Sequence, residues 1–352
     1  MYVLTRRACY QGPCAPPRSG ASCLLAVALS SDGQLLATGG LDKHVNVFDI
    51  RQPPGHHVAC FPGHRDAVTG LAFRSGTRTL FSASTDRCVK IWSLDDMAYV
   101  DTLYGHGAEI HAIAAGRRYR ALTAGGDRTC RLWKVAEDSQ LVFHAADSAH
   151  SLESCALLNA SEWVTGARDG SLARWTATKK KPAGTWMHAH GPPAEVGTAQ
   201  ADAGAQLNAV ARKAGGSGLG SGAAARSVAA ARAAAGAPEQ SLGDAGQWIN
   251  AVAVAPASDL VASGAADGCI RLWRAQPGSF GFQSRGGLPA RGFVNGLAIA
   301  SSGRFLLAAM GQEHRMGRWA RDPGARNGVL MHHLHLADAA EEQPHANGDG
   351  DV

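Results

Sequence analysis

Short apolar stretches alternate with clusters of Gly, Ser, Thr and Asp through most of the chain, and the alternation keeps one form. Between Gly63 and Leu103 it predicts four strands, near 67–73, 79–84, 88–93 and 98–103. A strand of small residues enters a tight turn, the turn carries an acid, and the following strand alternates apolar and polar positions. The phrase Leu80-Phe-Ser-Ala-Ser-Thr-Asp-Arg-Cys-Val-Lys-Ile-Trp92 returns as Ala121-Leu-Thr-Ala-Gly-Gly-Asp-Arg-Thr-Cys-Arg-Leu-Trp133. It returns again as Leu260-Val-Ala-Ser-Gly-Ala-Ala-Asp-Gly-Cys-Ile-Arg-Leu-Trp273.

Each phrase ends with an acid followed six residues later by an aromatic. The pairs are Asp42–Phe48, Asp86–Trp92, Asp127–Trp133, Asp169–Trp175, Asp267–Trp273 and Glu313–Trp319. Successive acids stand 44, 41, 42, 98 and 46 residues apart, so one interval of about two periods holds extra chain. A period of this length with this ending is the WD-repeat signature. It implies an all-β propeller of short four-stranded sheets stacked around a ring, with six recognisable blades. A carboxylate in the turn can accept backbone N–H bonds. In proteins that this repeat resembles, the acid also bonds a His, the His bonds a hydroxyl, and the hydroxyl meets the Trp. Gly63-His64 and Gly105-His106 supply that His, with Ser82 or Ser84 and Thr123 as hydroxyls. Repeats one, five and six show no Gly-His, so partial networks are expected there, and repeat four has Ala149-His150 in its place.

The pattern breaks from Thr178 to Gly246, where the chain turns to Ala, Gly and Ser. Gly215-Gly-Ser-Gly-Leu-Gly-Ser-Gly222 has flexible-linker composition, and the stretch is expected to be a disordered insert. The organisation expected is propeller blades at 1–177 and 247–336, the Ala/Gly insert at 178–246 and an acidic disordered tail at 337–352. Within these, repeat one covers Leu24–Ile50, repeat four about 150–177, repeat five Trp248–Ala275 and repeat six Gly292–Ala320, before a last apolar strand at Gly328–Leu336.

Charge adds one thing to this picture. The net +5 divides into −5 on the tail, +3 on the insert and +7 on the remainder, and a basic body is compatible with a nucleic-acid partner. Eight cysteines without a C-x-x-C pair suit a reducing intracellular compartment. Cys88, Cys130 and Cys269, just after acidic turns, read as packing positions. No run approaches the roughly 18 apolar residues of a membrane span. The seven-residue run Cys23–Leu29 reads as the first strand of repeat one.

Catalytic patterns are not found. Gly218-Leu-Gly220 imitates a dinucleotide fingerprint without the strand that should precede it. His332, His333 and His335 have no Cys or carboxylate partner close in sequence and read as a surface strand. The acid–aromatic pairs recur in every repeat, whereas a catalytic group would be singular. No enzyme activity, cofactor or metal is expected. Trp163, Trp186 and Trp248 read as packing residues, Trp186 the most exposed.

Five of the six acidic turns carry a neighbouring base: Lys43, Arg87, Arg128, Arg168, and His314 with Arg315. In a propeller these turns share one end of the ring, where guanidinium groups could contact phosphates. The plainer reading is that Asp-Arg and Asp-Lys are ordinary turn pairs. Lys179-Lys180-Lys181 is a solvated loop, a phosphate contact or part of an import signal.

Several segments go beyond the generic repeat. They are Gly63-His-Arg-Asp-Ala-Val-Thr-Gly-Leu-Ala-Phe-Arg74, Ser139-Gln-Leu-Val-Phe143, Lys179-Lys-Lys-Pro182, Ala189-His-Gly191, Gly292-Phe-Val-Asn-Gly-Leu297 and Gly311-Gln-Glu-His-Arg-Met-Gly-Arg-Trp319. Together, over about 24–191 and 247–336, they resemble the WD-repeat subunit of the U3 small nucleolar ribonucleoprotein. The resemblance implies a non-enzymatic scaffold in the nucleolus. Its implied partners are the U3 small nucleolar RNA, box C/D core proteins and small-subunit processome proteins, with no membrane partner, in small-subunit ribosomal RNA processing. It singles out Arg315, inside the Gly-Gln-Glu-His-Arg stretch, as the first RNA contact. That family has seven repeats and a basic nuclear-targeting N-terminal extension; this chain shows six and no such extension, so it is expected to be a truncated form. The alternative is a WD-repeat adaptor for a ubiquitin ligase substrate or a chromatin peptide.

Overall fold

A computed structural model describes residues 23–52, 56–146, 149–190, 248–256, 258–276 and 279–334. It is a six-bladed β-propeller. Blade 1 is β1 (Leu24–Leu29), β2 (Leu35–Gly40), β3 (Val45–Asp49) and β4 (His57–Phe61). Blade 2 is β5 (Val68–Phe73), β6 (Thr79–Ser84), β7 (Val89–Ser93) and β8 (Ala98–Leu103). Blade 3 is β9 (Ile110–Ala115), β10 (Arg120–Gly125), β11 (Thr129–Lys134) and β12 (Ser139–His144). Blade 4 is β13 (Leu152–Leu157), β14 (Glu162–Ala167), β15 (Leu172–Thr176) and β16 (Gly184–Trp186). Blade 5 is β17 (Ala251–Val254), β18 (Leu260–Gly264), β19 (Cys269–Ala275) and β20 (Phe282–Pro289). Blade 6 is β21 (Phe293–Ile299), β22 (Phe305–Gly311) and β25 (Gly328–His333), with a separate hairpin of β23 (Glu313–His314) and β24 (Gly317–Arg321). Every pairing is antiparallel, and in blades 1 to 5 the strands lie in chain order from the ring's inside outwards.

The four strands of each blade form because polar turns punctuate alternating apolar runs, and each sheet buries its faces only against its neighbours. The core is therefore a series of slabs. Val45, Val47 and Phe61 meet Val68, Leu71 and Trp92 between blades 1 and 2. Phe81, Val89 and Ile91 meet Ile110 and Trp133 between blades 2 and 3. Leu122, Leu132 and Phe143 meet Leu152, Trp163 and Trp175 in the next slab. Val164 and Leu172 meet Ile249, Val261 and Trp273, and Ala262 and Ile270 meet Val294, Leu306 and Ala308. At the two ends of the series apolar side chains stay uncovered: Val27 and Leu29 are 55% and 54% exposed, and Val329 and Met331 are 72% and 56% exposed.

Two expectations change. Blade 4 does not stop at 177. Its outer strand is β16, and the described chain continues to His190, so residues 178–190 belong to the propeller although composition groups them with the insert. Residues 191–247 and the acidic tail from 335 lie outside the described residues. The third strand of blade 6 is also not the stretch ending in Trp319. β22 pairs with β25 instead, from Phe305↔His333 to Met310↔Gly328. β25 brings Leu330 against the slab that holds Ile270 and Leu306, whereas Gly317–Arg321 pairs back on Glu313–His314 as a hairpin.

Candidate nucleic-acid interface

The acidic turns rest on a frame of hydrogen bonds. In blade 2, Trp92 Nε1–H donates to Ser82 Oγ at 2.8 Å, and Ser82 Oγ lies 2.7 Å from His64 Nε2. His64 Nδ1–H donates to Asp86 Oδ2 at 2.8 Å. The serine has one proton, so after accepting from Trp92 it can pass its own O–H to His64. Blade 3 repeats the chain with Trp133, Thr123, His106 and Asp127, at 2.9, 2.7 and 2.9 Å. Burial alone would raise the Asp86 carboxyl. Hydrogen bonds from His64 and from the backbone N–H groups of Arg65 and Cys88 outweigh it and hold the pKa at about 2. Asp127 is lowered in the same way, with Thr129 adding a bond.

Blade 5 holds a complete copy, which corrects the expectation of a partial one. Trp273 Nε1–H donates to Ser263 Oγ at 2.8 Å, and His190 bridges Ser263 and Asp267 at 2.7 and 2.9 Å. His190 and Asp267 are 77 positions apart in sequence, against 22 and 21 for the equivalent pairs. Residues 191–247 enter the chain between the histidine and the inner strand of its own blade, so a search at the usual spacing misses it. The Ala189-His190-Gly191 segment was the available signal. Blade 4 keeps only the Trp175 to Thr165 bond, 2.8 Å, while His150 is exposed and Asp169 Oδ2 is buried without a hydrogen bond. In blade 1, Asp42 accepts from the His44 backbone at 3.3 Å and from Asn46 Nδ2 at 3.4 Å.

Blade 6 departs most. Glu313 does not occupy a turn between the second and third strands, and the Glu313–Trp319 spacing is not a repeat ending. The β23–β24 hairpin reaches over the central channel. Arg315 Nη2 donates to the His111 carbonyl at 2.7 Å and to the Glu153 carbonyl at 3.4 Å, and Nη1 approaches the Thr69 carbonyl at 3.5 Å. Those carbonyls belong to the inner region of blades 3, 4 and 2, so one side chain ties three blades to the sixth. Burial pulls the Arg315 guanidinium below its ordinary pKa, opposed by Glu153 and Cys155. His314 Nε2–H donates to Asn250 Oδ1 at 3.0 Å, and the Met316 N–H donates to His314 Nδ1 at 3.2 Å. This is a neutral imidazole, and burial brings its pKa to about 4. The expectation that His314 and Arg315 join an exposed basic face is therefore corrected: both point inward, because the channel's carbonyls and Asn250 need partners.

The other basic turns remain at the surface. Lys43, Arg87 and Arg128 are exposed and hold left-handed backbone, with φ of 67°, 69° and 60°. The turns of Lys43 and Arg87 are closed alike, Lys43 N–H to Gly40 O and Arg87 N–H to Ser84 O at 3.2 Å, matching Gly170 N–H to Ala167 O in blade 4. The position after the acid is Gly170 and Gly268 in blades 4 and 5, at φ 77° and 90°. An L-residue there costs about 1–2 kcal/mol that glycine avoids. Three blades thus hold a cation where the backbone favours glycine. Arg168, before its acid, is exposed, and its guanidinium carbon lies over Trp248, 3.9 Å from the ring centre.

The family model for WD domains of the G-beta repeat type matches residues 16–49, 55–93, 97–134 and 236–274. The U3 small nucleolar RNA-interacting protein 2 of Homo sapiens is 37% identical over 90% of this chain and 56% of its own length. A U3 snoRNP-associated protein-like protein of Arabidopsis thaliana is 38% identical over 89% of this chain and 56% of its own. The solved structure of U3-55K superposes with a TM-score of 0.72 at 37% identity, covering 90% of this chain and 83% of that one. The chain belongs to the U3 snoRNP-associated WD-repeat family. It spans 56% of the length of those two curated relatives.

In this U3 snoRNP-associated WD-repeat chain, Lys179, Lys180 and Lys181 lie on the connection from β15 to β16, which leaves the other end of β15 from the Asp169 turn. Lys179 Nζ sits 4.9 Å from the centre of the Phe280 ring, and the Lys180 carbonyl accepts the His144 N–H at 3.2 Å. Inside the ring is a cavity of about 1230 Å³ lined by His111, Glu153, Cys155, Asn250, His314 and Arg315 among others. Sequence reasoning missed this cluster, since its members are single residues on different blades with no shared spacing. Burial pushes the Cys155 thiol up to about 12, so it is no nucleophile near neutral pH.

Proposed function

We propose that the chain is a non-enzymatic scaffold of the U3 box C/D small nucleolar ribonucleoprotein. It holds the U3 RNA through the exposed cations of the acidic turns and engages box C/D core and processome proteins through the rest of its surface. It acts in the nucleolus, in small-subunit ribosomal RNA processing. The observation that carries the reading is the placement of Lys43, Arg87 and Arg128 at left-handed turn positions on one end of the ring. Residues held in strained backbone cluster at functional sites, and cations on such a face set affinity and register on a phosphate backbone. The likeness to proteins named for U3 RNA interaction supports the same partner. The inert thiol and the engaged His314 and Arg315 favour a channel that holds the ring together over one that does chemistry.

Crosslinking of the tagged chain to RNA in cells, followed by sequencing of the bound RNA, tests this. Strong enrichment of U3 RNA is expected. Enrichment no greater than that of abundant unrelated RNAs would remove the RNA-scaffold reading and leave an adaptor for protein partners.

A further inference from the structure

Between the turn ends of blades 2 and 3 lies a groove of about 470 Å³, lined by Gly63, Arg65, Asp86, Arg87, Lys90 and Tyr104 with the adjoining Gly105. Its size is that of sites that hold one small ligand unit. Arg65 and Arg87 are exposed beside it. Lys90 is half-buried, with Nζ bonded to Thr102 Oγ1 at 2.9 Å and 5.1 Å from the centre of the Tyr99 ring. Asp86 is the carboxylate in the lining, and it is committed to His64 and to the backbone N–H groups of Arg65 and Cys88. The groove is therefore electropositive at its rim.

Tyr104 is 69% exposed. It stands in the connection between β8 and β9, directly before the Gly105-His106 pair that starts the next network. The same place before Gly63-His64 is Pro62, so the repeat does not require an aromatic there. The neighbouring Gly105 has no room for a side chain: a Cβ at this residue, whose φ is +156°, would come within 2.5 Å of Arg131 Nη1. An exposed ring beside two exposed guanidinium groups is the arrangement that takes single-stranded nucleic acid, with a base on the ring and phosphates on the cations.

We propose that this groove seats one unpaired nucleotide of a single-stranded RNA, with Tyr104 stacking the base and Arg65 and Arg87 holding the flanking phosphates. The proposal rests on the RNA reading above and narrows it from a charged face to one seat. A duplex has no free base for Tyr104, so the seat discriminates single strands from double strands. A phosphorylated or acidic peptide would use the cations and leave the ring without a role.

The test uses the full chain and a fluorescein-labelled single-stranded RNA of roughly 12 nucleotides, with a duplex of the same sequence. Tyr104→Ala is expected to weaken single-strand binding about tenfold and leave duplex binding unchanged, while Tyr104→Phe and Tyr104→Trp keep wild-type affinity. Arg65→Gln with Arg87→Gln is expected to flatten the single-strand salt slope by about 1.4. Unaltered thermal midpoints establish that each variant folds. Wild-type affinity in Tyr104→Ala would overturn the seat while leaving a charged RNA face standing. Binding of neither RNA by the wild-type chain would overturn both. Displacement of the RNA by a phosphoserine peptide at lower concentration than by unlabelled RNA would also overturn the seat, in favour of a peptide site.

Discussion

Arg315 Nη2 donates to the carbonyl oxygen of His111 at 2.7 Å, across the channel and across 204 positions of sequence. The bond places the Gln312–Met316 stretch at the channel inside the ring. Removing the guanidinium leaves channel carbonyls without a donor, and a lysine cannot supply the fork that reaches several blades at once. Arg315→Leu should destabilise the fold by about 1–3 kcal/mol, and Arg315→Lys should recover only part of it. Denaturant midpoints measure this, and RNA affinity of the protein that remains folded should be unchanged.

His190 and His150 make a second comparison. His190→Ala removes the middle of a buried chain: Asp267 keeps Arg271 and Ser263 keeps Trp273, but each loses its bond to the imidazole, at about 1–3 kcal/mol. His150→Ala touches an exposed side chain and should stay within about 0.5 kcal/mol. Equal midpoints for the two variants would contradict the assignment of His190 to blade 5.

The blades were legible because a six-residue step from Asp86 to Trp92 recurs with the same small residues before it. His190 was hidden because hydrogen bonding is a matter of space, and residues 191–247 separate it in sequence from a carboxylate only 2.9 Å away. Glu313 and Trp319 misled for the opposite reason. They reproduce the spacing, but the chain from Glu313 to Arg321 folds on itself as a hairpin, and the strand that pairs with β22 is β25. The inward turn of Arg315 was invisible because its partners are backbone carbonyls, which carry no sequence signal.

His190 N–H donates to the Gly170 carbonyl and Ile249 N–H to the Ala167 carbonyl, so both ends of the 191–247 stretch are fixed on one turn. Replacing residues 192–245 with a short Gly/Ser linker should therefore leave the thermal midpoint within about 3 °C. A collapse in soluble yield would show that the segment packs against the blades.

Stability should fall in two steps as pH is lowered. His314 has an ordinary value of 6.5 and about 4 in the fold, so its contribution is complete above 6.5 and is lost as pH falls toward 4. Protonating Nδ1 would also turn a second donor against the Met316 N–H. Asp86 goes from 3.8 to about 2, so its contribution is present above 3.8 and is lost as pH falls toward 2. Urea midpoints across this range should show the upper step reduced in His314→Asn and the lower step reduced in Asp86→Asn.

Glycine at a left-handed position relieves strain that arginine bears. Arg87→Gly should leave the fold as stable as the wild type or raise its stability by up to about 1 kcal/mol, while weakening RNA binding. Stability and function would then move in opposite directions at a single residue, which a purely structural turn pair does not allow.

The most direct measurement is the salt dependence of U3 RNA binding by the wild-type chain and by the triple variant Lys43→Gln, Arg87→Gln, Arg128→Gln, over roughly 50–300 mM monovalent salt. Arg168 stays in place because it stacks on Trp248. Removing one cation from a phosphate lowers the slope of log affinity against log salt by about 0.7–0.9, so the triple variant should be flatter by about 2.1–2.7 units, with an unchanged thermal midpoint. An unchanged slope and affinity in the folded triple variant would contradict the basic-turn interface and move U3 binding to another surface of the ring.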